Sequence, residues 1–444
     1  MTVTDRLPAL RALADEHATR FILATFVDLD GKPCAKLVPV EALETLATEG
    51  VGFAGYAAGA LGQQPCDPDI MAIPDPASFM ALPFLRDGLA MVHCDPHVEG
   101  APWPYAPRVI LKATLARLAA SGYDARVGAE VEYFLLDRDT SAGLRTADGD
   151  DKAAQPCYDA RGVTRMYDHL AAVSTAMNSL GWGNYANDHE DANGQFEQNF
   201  TFADALTTAD RVITARYLIA MLAEQRGMLA TFMPKPFADR TGNGLHLHLS
   251  LWRDDDPLFP DPYDARGLGL SELAYGFVGG VLDHAPGLLS VLAPTVNSYK
   301  RRGAVSTTSG ATWAPNQASY GGNDRTHLIR VPDGNRIEVR GGDGSANPYL
   351  AIAALLTAGV DGIERKADPG APCGPGEHPT SAVELPVTLL HAVDALRADP
   401  LVAGALDAAG EGVSGYYADR KRGEFLAWHN TVTGWETTRY LTAV

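Results

Sequence analysis

Apolar residues recur along the chain with two periods, and each period predicts its own element. Strict alternation marks strands, because successive side chains of an extended chain point to opposite faces. "RFILATFVDLDGKPCAKLVPV" (residues 20 to 40) predicts two strands joined by a turn at "LDGKP", where Gly31 supplies the positive φ such turns want. "ARVGAEVEYFLLD" predicts a further strand, and "TGNGLHLHLSLW" another, with His246 and His248 on one face and Leu245, Leu247 and Leu249 on the other. Helical spacing predicts helices in "RVILKATLARLAASGY", over about 207 to 226 and in "NPYLAIAALLTAGVDGIERK". Met166, Leu170, Val173, Met177 and Leu180 predict one more helix, capped by Asp159 and ended by Gly181, whose Met and Leu stripe faces the core. Between these patterns, "DPHVEGAPWPYAPR" (95 to 108) carries four prolines and little periodicity, and reads as a linker. That sets an N-terminal domain over 1–100 against a larger one over 105–444. Strands and helices alternate in the larger region but several strands pair as hairpins, so the class is α+β rather than doubly wound α/β.

Composition narrows the function. The 444 residues are 46% apolar and 20% charged, enough for a large core, and the formal charge of −19 argues against broad contact with nucleic acid or anionic membrane. The five cysteines, Cys34, Cys66, Cys94, Cys157 and Cys373, are odd in number and form no C-x-x-C pair, which suits buried or idle thiols in a reducing cytoplasm. The N-terminal stretch has no signal-peptide apolar region, and no apolar run reaches bilayer-spanning length.

Taken alone, His246 and His248 fit a solvated strand face or core histidines satisfied by carbonyls. Other strands change that. Glu130 and Glu132 share one face of "GAEVEYF"; Glu197 points away from Phe196, Phe200 and Phe202 in "GQFEQNFTF"; Arg336, Glu338 and Arg340 line one face of "NRIEVRGGD". Paired glutamates on one face repel unless a cation lies between them. With Glu190 from "NDHEDANGQFE", five carboxylates and His246 suffice for two metals, and an oxygen-rich set with one imidazole suits Mg²⁺ or Mn²⁺. Lys300, Arg301 and Arg302, Arg325 and Arg330, with Arg336 and Arg340, supply guanidinium forks for an anionic substrate. Cations plus an arginine cluster are the equipment of phosphoryl transfer, and neither a Walker loop nor a kinase "HRD" is present.

These segments, together with "ATFMPKPF", "PTVNSYKR", "RTHLIRVP" and "RIEVRGGDGSANPYL", resemble the glutamine synthetase family in order and over about residues 20 to 440. "DHEDANGQFE" and "TTSGATW" are most similar to the branch that includes γ-glutamylmethylamide synthetases. The resemblance implies a small N-terminal β-grasp domain and a catalytic domain with a curved antiparallel sheet flanked by helices. It implies homo-oligomeric stacked hexameric rings, a dodecamer with active sites between subunits, and ATP and L-glutamate as substrates with an amine. By position, it implies that Glu132, Glu190 and Glu197 hold one metal and Glu130, His246 and Glu338 the other. It implies that His248 and Ser250 approach ATP, that Arg330 and Arg336 handle its phosphates, and that Gly242, Arg301, Arg325 and Arg340 contact glutamate and the transferred phosphoryl group, Arg325 and Arg340 acting in catalysis.

Two departures bear on the amine. Where the family carries acids that bind ammonium, this chain reads "GFAGYAAGA" and "RRGAVSTTSGATWAPNQASYGGN", without an acidic residue before Asp324. A cation site without carboxylates binds ammonium poorly, and small residues leave room for an alkyl group. The expected acceptor is therefore a small primary amine, methylamine first. The alternatives are ammonia with another acid such as Asp67 or Asp69, a larger amine such as ethanolamine or a polyamine, and a catalytically inactive ring-former.

Overall fold

The computed structural model describes residues 3–302, 313–377, 379 and 382–443. The chain builds two sheets. In the N-terminal one, the strands Phe21–Val27 and Pro33–Pro39 form the expected hairpin, with Gly31 at φ 83°. Leu89–Val98 returns parallel beside Phe21–Val27, and Ile70–Pro74 and Val51–Phe53 complete the order on its far side.

The linker expected at 95–108 is a correction. The strand Leu89–Val98 continues through Pro96 and turns back at Ala101–Pro102, and the next helix begins at Pro107. Proline lacks only the donor: the Pro96 carbonyl still accepts from Trp103 N at 2.8 Å, so the ladder survives a residue that breaks the sequence pattern. Nor does the N-terminal sheet keep its core to itself. Val27, Leu29, Leu82 and Met91 belong to the same buried cluster as the second sheet.

The second sheet is mainly antiparallel, ordered Tyr320–Gly321, Ile329–Asp333, Arg336–Val339, Leu245–Arg253, Asp124–Asp137, Gln195–Phe200 and Asn184–His189. Its apolar face (Val127, Val131, Leu245, Leu247, Leu249, Ile337, Val339) is buried against helices that include Ala205–Glu224. Each such side chain contributes about 1.5–3 kcal/mol by leaving water. The other face carries the polar residues. Farther from it, the helices Glu272–Asp283 and Pro348–Arg365 approach closely at glycines: a Cβ on Gly280 would lie 2.1 Å from the Ala358 carbonyl oxygen.

Helix ends follow the sequence closely with one exception. Asp159 does cap a helix, but it is the short Ala160–Arg165; a break at Met166 separates it from Tyr167–Ser179, which carries the apolar stripe. Phe202 also departs from expectation. The strand ends at Phe200, and Phe202 is exposed rather than part of the apolar back.

His284 joins three of the helices. Its ring nitrogens lie 2.7 Å from Asp399 and 3.3 Å from Asp361, and the Asp399 hydrogen bond, outweighing burial, raises its pKa above the usual histidine value. A raised folded-state pKa stabilises the protein below the unfolded value, near 6.5, and that contribution disappears as pH rises through the folded value. Measured against its own alkaline thermal midpoint, the acidic midpoint should therefore be lower in His284→Gln than in the parent; an unchanged offset would show that the imidazolium contributes nothing.

Candidate active site

Strand register assembles the polar face. Glu197 pairs with Glu132 on one side and Asp188 on the other. Glu130 pairs with His246 and Asn199, and Glu338 with His248 and Arg330. Three rows of acidic and basic groups thus cross the centre of the sheet, each shifted by one step from the next.

The carboxylates are crowded. Ligand atoms of Glu132, Glu190 and Glu197 lie within 4.8 Å of one another, as do those of Glu130, Glu197 and His246 and those of Glu130, His248 and Glu338. The six expected metal positions are therefore all brought together, and the fold adds His248 to them. His246 Nδ1 is 2.7 Å from Glu130 Oε2 and 3.7 Å from Glu338 Oε1, while His248 Nε2 is 2.9 Å from Glu130 Oε1. This answers why two imidazoles stand side by side: both face one carboxylate.

Charge shows what the site needs. Burial, then repulsion from Glu130, Glu190 and Glu132, pushes the Glu197 carboxyl well above its usual range. Burial and Glu132 do the same to Glu190, and burial with Glu130 pushes Asp188 up to about 6. Glu130 and Glu338 go the other way: the penalty of burial is outweighed for Glu130 by hydrogen bonds from His246 and His248, and for Glu338 by the charges of His246 and Arg340. Buried carboxylates at this density without matching cations are unfavourable, so the donor set fits divalent ions.

Hydrogen bonds hold the ligands in place. Gly244 N donates to Glu132 Oε2 at 2.6 Å, and Asn199 Nδ2 to Glu197 Oε1 at 2.8 Å. A Cβ on Gly244 would meet Glu132 Oε1 at 2.7 Å, so glycine is what lets the backbone approach.

Two cavities flank the carboxylates. One, of about 420 Å³, is lined by Glu130, Glu132, Glu190, Glu197 and His246 together with Arg301, Arg325, Arg330, Arg340 and Gly242. Arg330 Nη1 donates to Glu338 Oε2 at 2.6 Å, Arg340 bonds the other oxygen of Glu338, and Arg301 Nη1 donates to the Gly342 carbonyl at 2.8 Å. The other, of about 460 Å³, is lined by His248, Ser250, Arg336, Tyr185, Phe202 and Trp252, with the Arg126 guanidinium 3.7 Å over the Trp252 ring. Arg336 Nε donates to His248 Nδ1 at 3.1 Å, and Ser250 Oγ accepts from Trp252 Nε1 at 2.9 Å. An arginine-lined chamber and an aromatic one thus meet at Glu130.

Part of the expected basic set lies elsewhere. Lys300 is exposed and sits over Trp428, and Arg302 donates to the Pro315 and Pro386 carbonyls, so of that trio only Arg301 reaches the anionic chamber. Cys157, Tyr158, Asp191, Thr241 and Trp313 also line this chamber and were not anticipated. Asp191 stood in the quoted "HEDANGQFE", next to Glu190, but period alone gives no reason to choose it. Its carboxylate accepts from Trp313 Nε1 at 2.7 Å. Burial, then Glu190 and Asp191, pushes the Cys157 thiol up to about 12. Asp67 and Asp69 do not line the chamber. Positions 303–312 of the acid-free stretch lie outside the described residues.

A scan against family models matches residues 104–440 to the glutamine synthetase catalytic domain. The chain belongs to the glutamine synthetase family. It is a ligase of that family, forming a carbon–nitrogen bond. A glutamine synthetase of Rhizobium leguminosarum bv. phaseoli is 42% identical over 96% of this chain and 98% of its own. A glutamate–methylamine ligase of Methyloversatilis universalis is 41% identical over 96% and 97%. Among solved structures, GmaS in complex with ADP superposes with a TM-score of 0.92 at 47% identity, over 97% of this chain and 99% of that one. The α+β arrangement described above is thus the glutamine synthetase-type fold. No helix among the described residues is long and apolar enough to cross a membrane.

Proposed function

We propose that this ligase phosphorylates the γ-carboxylate of L-glutamate with ATP and joins the product to a small primary amine of methylamine size, giving a γ-glutamylamide, ADP and phosphate. The observation that carries the reading is the meeting of the arginine-lined chamber and the aromatic chamber at one carboxylate cluster. Glutamate occupies the first, with Arg301 and Gly242 at its charged end. The nucleotide occupies the second, its base by Trp252 and its phosphates toward His248, Ser250, Arg330 and Arg336. We assign one ion to Glu132, Glu190 and Glu197 and the other to Glu130, His246 and Glu338. Bound magnesium or manganese supplies charge neutralisation for the phosphates.

In the first step a γ-carboxylate oxygen attacks the terminal phosphorus and ADP leaves. Arg325 and Arg340 stabilise the charge on the transferred group. In the second, the neutral amine nitrogen attacks the acyl carbon, the carbon–oxygen bond to phosphate breaks, and the proton lost by the nitrogen leaves with the phosphate. Asp191 answers the question raised by the acid-poor stretches. It places a carboxylate in the chamber wall, which would meet ammonium and an alkylammonium ion alike, and Trp313, whose indole N–H it accepts, adds apolar surface beside it for an alkyl group. A neighbouring cavity of about 510 Å³ adjoins across Trp313 and Ala314, leaving room beyond the reaction chamber. Relatives of both kinds, a glutamate–methylamine ligase and glutamine synthetases, lie at similar identity, so ammonia is the second reading.

Steady-state turnover discriminates. Methylamine is expected to exceed ammonia in kcat/KM by at least about tenfold, equivalent to about 1.4 kcal/mol. A preference for ammonia would assign the chain to glutamine synthesis, and no glutamate-dependent ADP release with any amine would leave only the inactive ring-former. Stacked hexameric rings are the assembly we propose, and a cytoplasmic site of action follows from the substrates; sedimentation of the purified chain reports its mass.

A further inference from the structure

Glu190 and Asp191 open the loop that joins Asn184–His189 to Gln195–Phe200, and the loop must hold Glu190 against the repulsion of its neighbours. What holds it comes from a distant, irregular part of the chain. The Asp151 carboxylate, 1% exposed, accepts from Gly194 N at 2.6 Å, from Asn193 Nδ2 at 3.0 Å and faces His189 Nε2 at 2.7 Å. The other nitrogen of His189 lies 2.9 Å from the Glu190 carbonyl oxygen. His189 has no freedom to swing away: a Cβ on Gly162 would lie 2.3 Å from its Cδ2, so the helix Ala160–Arg165 packs directly on the ring. Both ends of the loop therefore close on one buried carboxylate.

We propose that Asp151 is a positioning residue: it fixes the backbone on either side of the loop so that Glu190 points at Glu132 and Glu197 while Asp191 points at Trp313. One side chain that does not line the reaction chamber thereby sets both a metal ligand and the acceptor wall. The inference rests on the reading of Glu190 as a ligand. A merely structural turn would need no charged group, because Gly194, at φ 79°, already permits the bend. Groups that orient ligands from behind characteristically change metal affinity by about 10–100-fold when removed.

The test titrates the intact protein with Mn²⁺ in the absence of substrates, by calorimetry, and records thermal midpoints in a chelator. Asp151→Ala is expected to weaken one class of Mn²⁺ site by about 10–100-fold and leave the other unchanged. Asp151→Asn, which keeps one acceptor oxygen and the shape, should lose less. Glu190→Gln should weaken the same class. Should Asp151→Ala fail to fold, Asp151→Asn and Asn193→Ala carry the comparison. A fall in the chelated midpoint with both Mn²⁺ classes unchanged in the Asp151 variants, while Glu190→Gln loses one, makes Asp151 a stabilising residue only and overturns the proposal. Unchanged binding in Glu190→Gln instead overturns the ligand reading beneath it.

Discussion

Glu338→Gln is expected to lower glutamate-dependent ADP release by about a hundred- to a thousandfold, the scale on which catalysis falls when a charge-stabilising group is lost from a closed site. Glu338 is fully buried and receives Arg330 on one oxygen and Arg340 on the other, while His246 Nδ1 lies 3.7 Å away and His248 pairs with it across the strands. Glutamine keeps the volume and removes the charge. Two guanidinium groups then face a neutral amide, and the ion expected between Glu130, His246 and Glu338 loses a ligand. Removing one partner of a buried ion pair also costs stability, about 3–5 kcal/mol in comparable cases, so the variant should melt earlier even in chelator. Single-turnover ADP formation together with a thermal scan separates the two effects. Retention of a tenth or more of parental turnover would mean that Glu338 is a structural partner of the arginines and not part of the catalytic charge.

Gly242→Ala is expected to raise the KM for glutamate by about 10–100-fold with little change in the KM for ATP. The added methyl would sit 2.2 Å from the Pro234 carbonyl oxygen and 2.4 Å from Arg301 Cγ. The carbonyl accepts from Asn243 N at 2.9 Å, so the backbone of this loop has to shift to clear the first contact, and the second contact pushes aside the side chain of Arg301. Displacing it breaks its bond to the Gly342 carbonyl and withdraws a guanidinium from the anionic chamber. A hydrogen bond to a charged group contributes about 1.5–3 kcal/mol, which sets the expected range. Initial-rate kinetics with each substrate varied in turn reads the outcome. A glutamate KM that stays within twofold, or a KM for ATP that rises as much, would remove Arg301 from glutamate recognition.

The amine remains the least legible part of the chemistry, and the reason is visible in the residues. Metal and phosphate sites demand particular charged groups at fixed strand intervals, so Glu130 with Glu132, or His246 with His248, stand out in the linear pattern. A pocket for one methyl group demands only shape, and shape comes from residues such as Trp313 and Tyr158, which line one chamber from segments about 155 residues apart. Asp191 shows the same limit at short range: adjacent to Glu190 in the chain, it turns toward Trp313 while Glu190 turns toward Glu132, and only the loop geometry assigns them different tasks.

Period and local chemistry were enough to reveal which residues share a strand face, where four of the longer helices lie, and that acidic and basic groups had been collected for an anionic, metal-assisted reaction. These are short-range properties, governed by side-chain alternation, capping and turn conformation. Tertiary structure decided the rest: the antiparallel register that sets Glu197 opposite Glu132 and His246 opposite Glu130, the turning away of Lys300 and Arg302, the continuation of a strand through Pro96, and the closure of the Glu190 loop on Asp151. Register and long-range closure depend on which surfaces bury each other once the chain has folded, and residues far apart in the sequence leave no local trace of that choice.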